Sequence, residues 1–150
     1  MQVSDAGRKA IEEHEGYRLE PYKDSHGFWS VGAGHKLNRE PHEGEVWTKA
    51  EVDDQLKNDL KWAEEHVTRA VTRAVSQEQF DAMVSLAFNI GVNAFYASSV
   101  CRFTNEGLFY QAGESFLLWS DHGLLSRRRE EERELYLSGV RNSSSKLGAS

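Results

Sequence analysis

The sequence predicts an α+β fold that is mostly helical, with one small β-hairpin near the N-terminus. Apolar residues recur at spacings of three and four over most of the chain, the pattern of helices with one buried face. The segment 17–35 departs from this pattern, because it combines aromatic residues and glycines with extended runs around a turn. A length of 150 residues fits a single domain.

The first predicted helix covers residues 4–15, with Ser4 and Asp5 as candidate N-cap residues and Gly16 as its C-terminal glycine. The hairpin follows in the segment 17–35. Its predicted turn is the sequence Asp-Ser-His-Gly at residues 24–27. Strand alternation then places Phe28 and Ser30 on the same face of the second strand.

A loop over residues 36–47 precedes a long helix that begins with a capping box, Thr48 and Glu51, and runs to the low seventies. A second capping box, Ser76 and Gln79, opens a strongly apolar helix. The remaining predicted helices cover about 98–106, 108–119 and 127–138, with Gly107 and Gly139 as helix stops.

These elements predict one domain, residues 1–150, with two lobes joined by the long helix. The N-terminal lobe covers about 12–60, and the helical C-terminal lobe covers about 75–140 with the first helix packed on it. A cleft between the lobes is the expected place for a binding site. The polar tail, 141–150, is expected to be disordered.

A net charge of −6 argues against nucleic-acid binding, which depends on Lys and Arg. The basic triplet at residues 127–129 is followed by three glutamates, which is typical of a solvated helix face. The single cysteine, Cys101, excludes an internal disulfide and is expected to be buried. No run is apolar enough for a signal peptide or a membrane span, so we expect a cytoplasmic protein as synthesised, without stable membrane insertion.

The segment 15–35 also holds residues suited to acid–base chemistry. Glu15 lies at a helix end near apolar neighbours, whereas Asp24 lies at a polar turn and is expected to stay ionised. Cleavage of a glycosidic bond needs one carboxyl group that donates a proton and a second one that is ionised. The hydroxyl of Ser30, on the next strand, is placed to hydrogen-bond a water held by Asp24.

The pattern E-G-Y-R-L-x-x-Y-x-D-x-x-G-x-W-S-V-G-x-G-H, which starts at Glu15, resembles the N-terminal motif of the phage lysozymes, the endolysin muramidases. The run QFDAMVSLAFNIG from Gln79, Trp119 and the ending RRREEERELYLSG are also similar to that family, so the resemblance covers residues 8 to about 139. It implies a lysozyme-like fold with Glu15 as general acid. Asp24 and Ser30 are the other catalytic residues that it implies.

The resemblance further implies hydrolysis of the β-1,4 bond between N-acetylmuramic acid and N-acetylglucosamine in bacterial peptidoglycan, with inversion and without cofactor or metal. It implies a monomer made in the host cytoplasm, released by a separate holin and acting on the cell wall in the periplasm. Two features depart from the family: Ser30 stands where most relatives have Thr, and the segment 120–126 is shorter than their glycine-rich loop.

Four further residues are candidates for substrate binding: Asn89, Trp119, Arg128 and His35. Each has a structural alternative. The alternative for Asn89 is a helix-capping or buried structural role, and the alternative for Trp119 is a place in the core. Arg128 could instead be a solvated side chain, although its charge is suited to orienting Glu15. His35 is expected to serve mainly within its own lobe, where Asp59 is its predicted partner.

Three other functions are compatible with the same residue types. The first is a glycan-binding module without catalysis, against which the intact pair of Glu15 and Asp24 argues. The others are a glycosidase acting on chitin-like polymers and a lytic transglycosylase.

Overall fold

A computed structural model describes the backbone of residues 1–148 and the side chains of residues 1–142. The chain divides into two compact units, which we call the small unit (residues 8–61) and the large unit (residues 1–7 with 62–150). The described elements, in chain order, are α1 Asp5–Glu15, β1 Arg18–Lys23, β2 Trp29–Gly32, β3 His35–Lys36, α2 Lys49–Ala70, α3 Gln77–Ile90, α4 Val92–Tyr96, α5 Ser99–Glu106, α6 Phe109–Ser115, a 3-10 helix Phe116–Trp119 and α7 Ser126–Gly148.

The small unit contains an antiparallel sheet in the order β1-β2-β3. Its register pairs Tyr22 with Ser30, and Ser30 with Lys36 on the other side. The predicted hairpin is therefore confirmed, with its turn after Asp24. The sequence did not predict β3, because a two-residue strand is too short to show an alternating pattern.

Helix α2 begins as predicted. The hydroxyl of Thr48 accepts a hydrogen bond from the Glu51 N–H at 3.1 Å, and the Glu51 carboxylate accepts one from the Thr48 N–H at 3.1 Å. The predicted apolar stripe of this helix is buried throughout. It consists of Val52, Leu56, Leu60, Ala63 and Val67.

In the large unit, helix α3 lies in the core and packs against α7. Every residue from 79 to 87 is buried, so this helix is enclosed on all sides. Its predicted capping box is present, since the Ser76 hydroxyl accepts from the Gln79 N–H and the Gln79 side chain accepts from the Ser76 N–H. Gly107 ends α5 in the left-handed region, with φ of 78°, as predicted.

Three predictions about the helices were wrong. Helix α4 was not predicted, and the segment 108–119 divides into α6 and the 3-10 helix. Gly139 does not end α7, which continues to Gly148. The expectation of a disordered tail at 141–150 stays a prediction, and residues 149–150 lie outside the described chain. Gly139 serves another purpose: a Cβ there would lie 2.1 Å from the Ser76 hydroxyl oxygen.

The prediction of a solvated helix face for the basic triplet was also wrong for two of its residues, because Arg128 is only 6% exposed and Arg129 is completely buried. Cys101 is 4% exposed, as predicted, and burial raises the pKa of its thiol. Within the described chain, none of the helices combines the length and the apolar character that crossing a bilayer requires.

We predict that Gly139→Ala destabilises the protein by about 1–3 kcal/mol, because the added methyl group overpacks the contact with Ser76. Urea denaturation measures this cost. In a Ser76→Ala background the nearest obstructing atom is gone, so the same substitution should cost markedly less. Equal costs in both backgrounds would contradict the close contact as the reason for this glycine.

Candidate active site

Glu15 is the last residue of helix α1 and is partly buried. Gly16 follows in the left-handed region, with φ of 70°, and its N–H donates to the Glu12 carbonyl oxygen at 2.8 Å. This is a common helix ending, because glycine adopts the left-handed conformation without a steric cost. The carboxyl group of Glu15 is thereby placed where the chain leaves the helix and enters β1.

Asp24 lies at the tip of the β1–β2 hairpin. Its Oδ1 accepts hydrogen bonds from the N–H of His26 at 2.8 Å and from the N–H of Phe28 at 3.0 Å. The Asp24 N–H in turn donates to the Phe28 carbonyl oxygen at 2.8 Å. The Phe28 N–H, followed by that of His26, lowers the pKa of Asp24 because each stabilises the charged form. Asp24 is therefore ionised at neutral pH.

Ser30 is in the middle of β2 and is 3% exposed. Ser30 pairs with Tyr22, and Asp24 lies two residues beyond Tyr22, just past the end of β1. Among the described residues, the Ser30 hydroxyl has no hydrogen-bond partner. A water held by Asp24 would supply one.

The predicted pair of His35 and Asp59 is confirmed. The Nδ1 of His35 lies 2.9 Å from Oδ2 of Asp59, and Gln55 donates to Oδ1 of the same carboxylate at 2.8 Å. The His35 ring also lies near Trp47, with 6.1 Å between the ring centroids. His35 thus links β3 to α2 within the small unit, as expected of a structural histidine.

In the large unit, Arg128 and Arg129 both contact Glu132, at 3.3 Å and 2.8 Å. Arg128 also donates to the Ser85 carbonyl oxygen at 3.2 Å, and Arg129 donates to Oδ1 of Asn89 at 2.9 Å. Neither arginine is the solvated side chain that was the alternative for Arg128. Sequence reasoning missed Arg129, which holds the side chain of Asn89.

Trp119 ends the 3-10 helix and is half-buried. Across the side chains described, 1–142, no three His, Cys, Asp or Glu residues are grouped so that they would hold a metal ion.

The model of the family described as phage lysozyme matches residues 12–132. The endolysin of Salmonella phage P22 is 37% identical over 145 residues, which are 92% of this chain and 99% of that one. The endolysin of Bacillus phage B103 is 33% identical over 93% of this chain, but the chain spans only 55% of that protein's length.

Two solved structures are also similar. A crystal structure of a P22 lysozyme mutant has a TM-score of 0.84 and 38% identity, and covers 91% of this chain and 99% of its own. The muramidase domain of SpmX from Asticcacaulis excentricus has a TM-score of 0.82 and 34% identity, over 91% and 97% of the two chains. The chain belongs to the phage lysozyme family. It is accordingly a lysozyme-type glycoside hydrolase.

In this phage lysozyme, the segment 120–126 forms a compact turn. The N–H of Leu125 donates to the Ser120 carbonyl oxygen at 2.9 Å and closes the turn. Asp121 and His122 both have positive φ, 48° and 55°, a conformation in which Asp and His are among the better tolerated residues. The side chain of Leu124 is 83% exposed beside it.

We predict that His35→Asn lowers the free energy of unfolding by about 1 kcal/mol, because the hydrogen bond to Asp59 is lost. Urea denaturation measures the change, and His42→Asn, at an exposed histidine, is the matched control. If His35→Asn left the stability unchanged, the pair with Asp59 would not hold β3 to α2.

Proposed function

We propose that this phage lysozyme is an endolysin that hydrolyses the β-1,4 bond between N-acetylmuramic acid and N-acetylglucosamine in bacterial peptidoglycan. The observation that carries the proposal is the hairpin of the small unit. It combines an ionised Asp24 at its tip with a nearly buried Ser30 hydroxyl on its second strand. The names of the relatives, endolysin and muramidase domain, support the same substrate class.

In the proposed mechanism, Glu15 is the general acid and donates a proton to the glycosidic oxygen, which leaves with the bonding electron pair. A water on the opposite face of the sugar attacks the anomeric carbon and gives its proton to Asp24. The Ser30 hydroxyl hydrogen-bonds that water and orients it. One water is consumed, and the configuration at the anomeric carbon inverts. Inversion requires the two carboxyl groups to be about 6.5–9.5 Å apart.

Asn89, Trp119, Arg128 and His35 stay predictions as substrate-binding residues. For Asn89 the prediction gains a physical basis, because Arg129 fixes Oδ1 and leaves the amide N–H groups to donate to a sugar. Arg128 is better suited to an indirect role, since its guanidinium group is buried against Ser85 and Glu132.

In the cell, we propose that the enzyme is made in the host cytoplasm and acts as a monomer. A separate holin would then release it to the cell wall, where hydrolysis causes lysis. No cofactor takes part in the proposed reaction.

Mass spectrometry of digested peptidoglycan tests the reaction. A hydrolase adds one water at each cleavage and leaves reducing ends, whereas a transglycosylase leaves 1,6-anhydro ends. Binding to cell walls without any cleavage product would instead identify a glycan-binding module. Release of products from chitin but not from peptidoglycan would identify a chitin-type glycosidase.

We predict that Glu15→Gln loses activity by about 10²–10⁴-fold, because an amide N–H is far too weakly acidic to protonate the leaving oxygen. Lysis of purified peptidoglycan measures the loss, and circular dichroism checks that the variant is folded. The matched control is Glu13→Gln, at an exposed position of the same helix. Retained lysis by the Glu15 variant would contradict the mechanism.

We predict that Ser30→Thr keeps or raises activity, since threonine supplies the same hydroxyl group on a stiffer side chain. Ser30→Ala should lower kcat roughly fivefold, because a hydrogen bond to the reacting water, worth ~1 kcal/mol, is lost. A large loss in the threonine variant would mean that the site has adapted to serine. Full activity in the alanine variant would remove Ser30 from the mechanism.

A further inference from the structure

Lys49, the first residue of α2, is the centre of a cluster in the small unit. Its Nζ contacts the carboxylates of Glu12 and Asp53. The same ammonium group lies 4.7 Å from the centroid of the Tyr17 ring, within the range of a cation–π interaction. One side chain thus connects helix α1, the start of α2 and the residue that precedes β1.

The contacts of Lys49 lie on both sides of Glu15 in the sequence. Glu12 is three residues earlier, on the neighbouring turn of α1, and Tyr17 is two residues later. Glu12 is only 8% exposed, and its carbonyl oxygen also accepts the Gly16 N–H that ends the helix. Lys49 therefore holds the segment 12–17 at two points, with Glu15 between them.

The electrostatics of this cluster stabilise the contacts of Lys49 with Glu12 and Asp53. Burial, followed by the hydrogen bond with Asp53, raises the pKa of Glu12. The hydrogen bond from Glu12, followed by that from Lys49, lowers the pKa of Asp53. The hydrogen bonds to Asp53 and Glu12 raise the pKa of Lys49, so it is charged at neutral pH. A buried carboxyl group such as Glu12 requires a charged or hydrogen-bonded partner.

We propose that Lys49 is a positioning residue for Glu15, which fixes the helix end that carries the general acid. The inference rests on the proposed role of Glu15. A misplacement of about 1 Å of a catalytic group can cost about 100-fold in rate, so a contact that fixes this junction acts on the chemical step. Lys49 itself does not touch the reacting atoms in this proposal.

The test is steady-state kinetics of Lys49→Met, Lys49→Arg and the control Lys57→Met, an exposed lysine of the same helix. Lys49→Met should lower kcat about 10–100-fold and leave KM unchanged. Lys49→Arg should restore most of kcat, since a guanidinium group can pair with carboxylates and stack on an aromatic ring. Lys57→Met should behave as the unmodified enzyme.

A fall in activity that only follows the folded fraction, or wild-type kcat in Lys49→Met, would overturn the proposal. If Lys49→Met does not fold, Tyr17→Leu takes its place, because it removes the ring contact and leaves the ion pair. That variant should also lower kcat and leave KM unchanged, and an unchanged kcat would overturn the proposal. Glu15→Gln is assayed alongside to separate the two claims. An active Glu15 variant would refute the role of Glu15 as general acid. An inactive Glu15 variant together with a fully active Lys49→Met would refute only the positioning role of Lys49.

Discussion

The candidate active site depends on the hydrogen bonds that Asp24 makes at the tip of the hairpin. The backbone N–H groups of His26 and Phe28 both donate to one carboxylate oxygen, and they close the turn by doing so. The same two bonds keep the carboxylate charged and fix its direction. One arrangement therefore closes the turn of the β1–β2 hairpin, in which Ser30 pairs with Tyr22, and holds the carboxylate that we propose as the proton acceptor.

Further side-chain contacts of the small unit support this hairpin and the helix before it. His35 and Asp59 hold β3 to α2, and Lys49 holds the end of α1. In the large unit, Glu132 lies between two buried arginines, and Arg129 also fixes Asn89. Buried charges of this kind require partners, because removing one partner leaves an uncompensated charge. These contacts join ionisable side chains, whereas the core is mainly apolar.

The features of the fold that local chemistry decides could be predicted from the sequence. Both capping boxes, the helix end at Gly16 and the turn after Asp24 depend on residues a few positions apart, so their signals are present in the sequence. The three candidate catalytic residues share one short segment, which made them recognisable together. The pair of His35 and Asp59 could be proposed because helical spacing from Thr48 placed Asp59 within reach.

The wrong predictions concern features that tertiary packing decides. Gly139 has the residue type of a helix stop, but a close approach to Ser76 requires it inside a helix. Arg128 and Arg129 belong to a charge run that is typical of solvent. A signal to the contrary was present, since Arg129, Glu132, Tyr136 and Val140 follow at spacings of three and four and form one buried face of α7. The prediction followed the charge of these residues and not their spacing.

The central claim is that a water oriented by Asp24 and Ser30 attacks the sugar directly, without a covalent intermediate. Proton NMR of the first product formed from a soluble peptidoglycan fragment, recorded before mutarotation, tests it most directly. The account predicts that the new reducing end appears first as the α-anomer. First appearance of the β-anomer would show retention and would contradict the roles given to Asp24 and Ser30.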